Sequence, residues 1–251
     1  MRKFTLISLA TLLALAPSAF AQSGNFIVSQ HGKSVGTASF SFASKPDGYD
    51  SKSAVRISMQ GLDYTLSKTE RLTAANRLSQ AELKATINSS VVTVTAAPVA
   101  NAEPPQIQLD TTANGKTTNT TLAAHDNAVF LPDFDPGAFE TLLALGVASN
   151  NRDLWAIIPK GAGSIAPIQL ATFADLQGTL DGQPIAVHHQ VAKIAGTSTD
   201  LFSGPENQLL QAELPQQGFA LVRKGFVLTP PAKPVAPPEA PEPEQSTPPA
   251  K

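Results

Sequence analysis

The chain has no cysteine, and its 251 residues include only one Trp, two Tyr, two Met and four His. Without cysteine there are no disulfides, thiol nucleophiles or thiolate metal ligands, so folding must rest on burial of apolar surface. One Trp and two Tyr do not furnish the row of exposed aromatic platforms expected of a carbohydrate-binding face. Four histidines are a thin supply for a catalytic zinc centre, which typically takes three protein ligands. Charge is also sparse, with 18 Lys and Arg against 20 Asp and Glu and a net charge of −2. The basic residues are scattered, so neither a nucleic-acid backbone nor an anionic membrane surface finds a basic patch. There is no Gly-x-Ser-x-Gly elbow, and Gly161-Ala162-Gly163-Ser164 lacks the downstream Lys and Ser/Thr of a phosphate loop. After residue 16 no stretch is long and apolar enough to cross a bilayer as a helix.

The two ends carry features of their own. Arg2 and Lys3 precede an uncharged apolar run from Phe4 to Ala16, Pro17 ends it, and Ala19-Phe20-Ala21 matches a small-x-small cleavage site. Residues 1–21 are therefore read as a secretory signal peptide. Cleavage is expected near Ala21-Gln22 and localisation periplasmic or secreted. The run is too short for a spanning helix, and no cysteine follows it to take a lipid anchor. Loss of Arg2 and Lys3 takes the net charge from −2 to about −4. Residues 229–251 are rich in proline, from Pro230-Pro231 to Pro248-Pro249. Proline lacks the amide donor and fixes φ, so an extended, disordered tail is expected, either solubilising or docking to a cell-envelope partner.

Between these ends, residues 22–228 read as β-structure. Ala38, Phe40 and Phe42 share one strand face; Val55, Ile57 and Met59 alternate with Arg56, Ser58 and Gln60. Tyr64, Leu66, Lys68 and Glu70 alternate with Thr65, Ser67, Thr69 and Arg71, and Ala81, Leu83, Ala85 and Ile87 keep the same period. Period-two alternation between turn signals such as Pro46-Asp47-Gly48, Asn114-Gly115 and Asp181-Gly182 predicts half-buried antiparallel strands. The hairpin around Asn114-Gly115 is flanked by Thr and Asn and reads as polar on both faces. Pro167 marks an edge, bulged or interrupted strand.

One helix is predicted near residues 136–148, with Asp135 as N-cap, Pro136 in the first position, and Phe139, Leu142, Leu143 and Val147 on one face. The fold class is therefore mainly β: a long twisted antiparallel sheet, half-barrel or sandwich, with one helix. It forms one β-rich domain, or two halves at 22–125 and 126–228.

Both ends of this region resemble a broad group of exported bacterial envelope proteins of no assigned activity. Phe26-Ile27-Val28 with Gly32-Lys33-Ser34-Val35-Gly36 resembles the group's opening hairpin. Asp200-Leu201-Phe202, Asn207 to Pro215 and Phe219 to Arg223 resemble its closing strands. The resemblance implies a long curved antiparallel sheet and carries over no catalytic residue.

Among chemistry-bearing residues, His188-His189 stands out, but strand neighbours point to opposite faces and do not share a metal. Asp133 and Asp135 flank Phe134 and are read as loop and helix-cap chemistry. Neither a metal nor a cofactor is expected. The leading functional expectation is a non-enzymatic protein that binds a lipid or other apolar ligand, or an envelope partner. Phe40, Phe42, Val55, Ile57, Met59 and Leu83 would line the concave face if the sheet is open, and a core if the helix covers it. The alternatives are a hydrolase using His188 or His189 with a carboxylate, and a structural envelope module tethered by the tail.

Overall fold

The computed structural model describes residues 21–230. All of the expected signal peptide but Ala21, and all of the Pro-rich tail but Thr229 and Pro230, lie outside these residues. Strand β1 (Ala21–Gln30) stands at the middle of one continuous sheet, with β2 (Lys33–Lys45) on one side and β16 (Phe219–Arg223) on the other. From β2 the chain meanders antiparallel through β3 (Gly48–Met59), β4 (Leu62–Thr73), β5 (Leu78–Ile87), β6 (Ser90–Pro98), β7 (Gln106–Ala113) and β8 (Lys116–Ala123). Beyond β16 come β15 (Leu209–Leu214), β14 (Thr197–Ser203), β13 (Gln183–Ile194), β11 (Ser164–Thr172), β10 (Leu154–Ile158) and β9 (Ala128–Phe130). The two β-rich halves are thus the two wings of one sheet, joined through β1.

The turns follow their residues. Asn114 and Gly115 both take positive φ, 51° and 75°, as a two-residue hairpin of this type requires. β8 is largely exposed along its length, as its Thr- and Asn-rich sequence predicts. Pro167 pairs with Trp155 of β10, while the pairing of β11 with β13 begins only at Ile168, so the proline sits where its strand has one neighbour.

One pairing departs from the expected antiparallel pattern. β9 and β10 run parallel because helix α1 (Pro136–Ser149) joins them as a crossover. The sheet rolls so that β9 lies inside it, against β5 and α1, and all three β9 residues are fully buried. Where Asp135 caps α1, its Oδ1 accepts the Gly137 N–H at 2.9 Å. The helix is buried on more than the single face predicted: Pro136 to Leu143 are all sealed, whereas Val147 is 62% exposed. An N-terminal half with no solvent-facing side is what a plug inside a rolled sheet requires. Each of its large apolar side chains gains about 1.5–3 kcal/mol by burial.

A second, smaller core explains the two adjacent buried leucines that open β15. Leu209 and Leu210 point to opposite faces, yet both are fully buried. Leu209 faces the main core with α1; Leu210 joins Val187, Phe202 and Phe226 under a flap. The flap is β12 (Leu176–Leu180), which pairs with the first half of β13 and with β17 (Phe226–Leu228).

Candidate functional site

Lys68 and Glu70 occupy inward positions of β4, and their side chains are 0% and 1% exposed. An ammonium taken out of water costs several kcal/mol unless it is paired and hydrogen-bonded. Lys68 Nζ lies 3.0 Å from Glu70 Oε2 and 2.7 Å from Asp135 Oδ2. It also donates to the Phe130 carbonyl at 3.2 Å, while Glu70 Oε1 accepts the Phe130 N–H at 3.0 Å. Burial pulls the Lys68 pKa down, but the two carboxylates outweigh it and hold the ammonium above its usual value.

The geometry has a clear purpose. Trp155 N–H donates to Asn127 O at 3.2 Å and Leu131 N–H to Ile157 O at 2.9 Å, so odd-numbered residues on this stretch pair with β10. Phe130 faces the other edge of β9, where no strand pairs with it among the described residues. Lys68 and Glu70 act in place of that strand, satisfying the backbone donor and acceptor of one buried residue.

This clamp holds the segment that follows β9 across the inside of the roll. Leu131-Pro132-Asp133 and Ile158-Pro159-Lys160-Gly161 form one wall of an open cleft of about 300 Å³. The inner face of β4 to β7 forms the other, with Tyr64, Leu83, Ala85, Ile87, Val92, Val94, Thr111 and Ala113. The lining is predominantly aliphatic. Tyr64 donates its hydroxyl to Asp133 O at 3.3 Å, and burial, with Asp133 and Asp135 nearby, holds its phenol above the ordinary value. At the mouth, Lys160 Nζ lies 3.4 Å from Asp133 Oδ2, with both side chains well exposed. A trough of about 340 Å³ on the outside of the sheet, past Thr37, Arg56 and Thr65, is polar and offers an apolar ligand little.

Comparison with known proteins places the chain by fold. No protein-family model matches the sequence, and no curated protein matches it. Among solved structures, it is similar to a crystal structure of a beta-barrel-like protein of a domain of unknown function, DUF1849, from Brucella abortus. The TM-score is 0.51 at 8% identity, over 82% of this chain and 97% of that one. The likeness extends to the rolled sheet, and at that identity it speaks for the fold alone. It agrees with the expected resemblance to β proteins without an assigned activity.

The six apolar residues singled out from the sequence all belong to or pack against the main core, and one of them also reaches the cleft. Leu83 lines the cleft. Phe40, Val55 and Ile57 are buried in the main core, where α1 lies against β2 and β3. Phe42 is half-buried and stacks on Tyr49 at 5.4 Å, and Met59 is half-buried against the same core. The buried trio Lys68, Glu70 and Asp135 was not singled out as a cluster. Its signal is parity: Lys68 and Glu70 continue the face of Tyr64 and Leu66, and that face is buried.

His188 and His189 are each tied to a carboxylate. His188 Nδ1 lies 2.9 Å from Asp175 Oδ1, and His189 Nε2 lies 2.9 Å from Asp200 Oδ1. The His189 ring stacks on Phe202 at 4.7 Å. His125 stacks on Trp155 at 3.6 Å. Among the described residues, no hydroxyl hydrogen-bonds to His188 or His189, and no three His, Asp or Glu side chains converge as a metal site. No helix of the described residues is long and apolar enough to cross a membrane.

Among the described residues, Glu140 is the remaining buried charged side chain. Its Oε2 accepts the Leu209 N–H at 2.7 Å, beside the bulge where the pairing of β14 with β15 shifts register. Arg223 donates to Leu209 O at 3.3 Å and to Ser23 O at 2.7 Å. Burial pushes the Glu140 carboxyl up to about 7, against the opposing effects of the Leu209 amide and the Arg223 charge.

Proposed function

We propose that this protein is exported and, without catalysing a reaction, binds an apolar ligand in the cleft between β4–β7 and the segments 131–133 and 158–161. The observation that carries the reading is the aliphatic lining of a cleft that stays open while α1 fills the neighbouring interior. Apolar concavities with a few polar groups at their rim are the usual form of small-molecule sites. The clamp on Phe130 supports it, because a fixed wall keeps the cleft from collapsing. Export is supported by the charged start, apolar run and cleavage pattern of residues 1–21.

Native mass spectrometry of the gently purified protein tests both parts. A mature chain beginning at Gln22 with a co-purifying apolar species is expected. A bare protein that also fails to take up an uncharged fluorescent probe would sink the binding reading; a retained N-terminus would sink export. The hydrolase alternative keeps one supporting feature, a carboxylate 2.9 Å from each of His188 and His189. Turnover of activated esters that disappears in His188→Ala or His189→Ala would favour it over the binding reading. The tether alternative rests on residues 229–251, and deleting them should then release the protein from the envelope fraction.

A further inference from the structure

The cleft is chemically uneven from its interior to its mouth. Leu83, Ile87 and Val92 offer only hydrocarbon, with Ala85 and Val94 sealed behind them. The Tyr64 hydroxyl is spent on Asp133 O, and Thr111 Oγ1, although it has no hydrogen-bond partner, is sealed from the cleft's solvent. Nothing inside therefore receives a polar group of a ligand. The mouth is different. Lys160 projects there, 78% exposed, and Lys116 stands directly across the β7–β8 ladder from the lining residue Ala113, on the same face of the sheet. Asp133 is the only carboxylate among the lining residues.

We propose that the ligand is a long-chain carboxylate, whose single acyl chain lies along Leu83, Ile87 and Val92 and whose head group meets Lys160 and Lys116. This rests on reading the cleft as an apolar binding site. A volume of about 300 Å³ stands at the lower end of small-molecule sites, which suits one chain rather than a two-chain lipid. The head group stays at the mouth because the interior cannot hydrogen-bond it. There it gains two cations against one anion. The Lys160–Asp133 contact it competes with is long and solvent-exposed, a weak pair that is readily exchanged.

The test uses the mature full-length protein loaded with N-phenyl-1-naphthylamine, an uncharged probe that brightens in apolar sites. It is displaced at pH 8 by dodecanoate or by 1-dodecanol, both at submicellar concentration. By hydrophobicity alone the alcohol should win. The proposal expects dodecanoate to displace the probe at about tenfold lower concentration, a preference that shrinks in high salt. Lys160→Gln with Lys116→Gln should abolish that preference by raising the dodecanoate concentration needed, with the alcohol curve on the same variant as the reference. Equal displacement by acid and alcohol, or a preference that survives the double substitution, overturns the carboxylate assignment while the apolar site stands. A protein that does not bind the probe overturns the apolar site and the assignment together.

Discussion

Lys68 Nζ lies 2.7 Å from Asp135 Oδ2, joining the middle of a strand to the cap of the only α-helix among the described residues, with both side chains sealed from solvent. The same ammonium reaches Glu70 and the Phe130 carbonyl. One cation thus fixes β4, the inner edge β9 and the start of α1 relative to one another.

Removing that cation leaves two carboxylates buried without it. Lys68→Met is expected to cost about 3–5 kcal/mol, read as a shift in the midpoint of denaturant unfolding. Replacing all three partners, Lys68→Met with Glu70→Gln and Asp135→Asn, should recover part of the loss, because no buried charge then stands alone. A triple variant less stable than Lys68→Met would contradict the account of the clamp as charge compensation.

Asp135 does two things, and two substitutions separate them. Asp135→Asn keeps an oxygen for the Gly137 N–H but withdraws the charge from Lys68; Asp135→Ala loses both. Alanine should be the less stable variant by about 1 kcal/mol, the usual worth of an N-cap. Equal unfolding midpoints would mean that the cap contributes nothing beyond the ion pair.

The helix was readable in the sequence because Asp135, Pro136 and the apolar spacing are local signals, as was the Asn114-Gly115 hairpin. The strands were readable because one face of the sheet is buried and the other wet, which writes alternation into β3 to β5. Alternation fails where both faces are covered, as at Leu209-Leu210, and there the sequence does not say what does the covering. The site was harder. Lys68 and Glu70 carry the parity of core residues but the chemistry of surface ones, and their partners Phe130 and Asp135 are remote in the chain. The cleft depends on how tightly the sheet rolls around α1, a property of the whole wing. Of the six apolar positions chosen, Leu83 is therefore the one that faces it, and the other five lie in or against the main core.

Gly137 marks the closest approach of helix to sheet. A Cβ there would collide with Ser53 Oγ and stand 3.1 Å from Ser51 Oγ and 3.2 Å from Phe40 Cβ. Gly137→Ala should destabilise by about 1–3 kcal/mol, although alanine favours helix. Ser53 Oγ is buried without a hydrogen-bond partner, so Ser53→Ala alone should be near neutral. It should also relieve the clash, and the double variant should be more stable than the two single effects added together by about 1 kcal/mol or more. Strict additivity in the unfolding free energies would show that Ser53 is not what the new methyl meets.

Glu140 sets a pH dependence of definite sign. Its carboxyl is raised from 4.5 to about 7 by burial, with Arg223 of β16 as the charged group acting on it. Below pH 4.5 folded and unfolded chains both hold the proton, and the stabilisation that comes with the raised value is fully present. Between 4.5 and about 7 the unfolded chain has released its proton while the folded chain keeps it, so stability falls by about 1.4 kcal/mol per pH unit. Above that range the loss is complete, about 3 kcal/mol in all. Glu140→Gln cannot ionise and should lack this contribution, its stability relative to the wild type rising by about 3 kcal/mol from pH 4.5 to pH 8. Denaturant unfolding of both proteins across that range measures the difference directly, and parallel curves would show that the Glu140 carboxyl does not titrate differently in the folded protein.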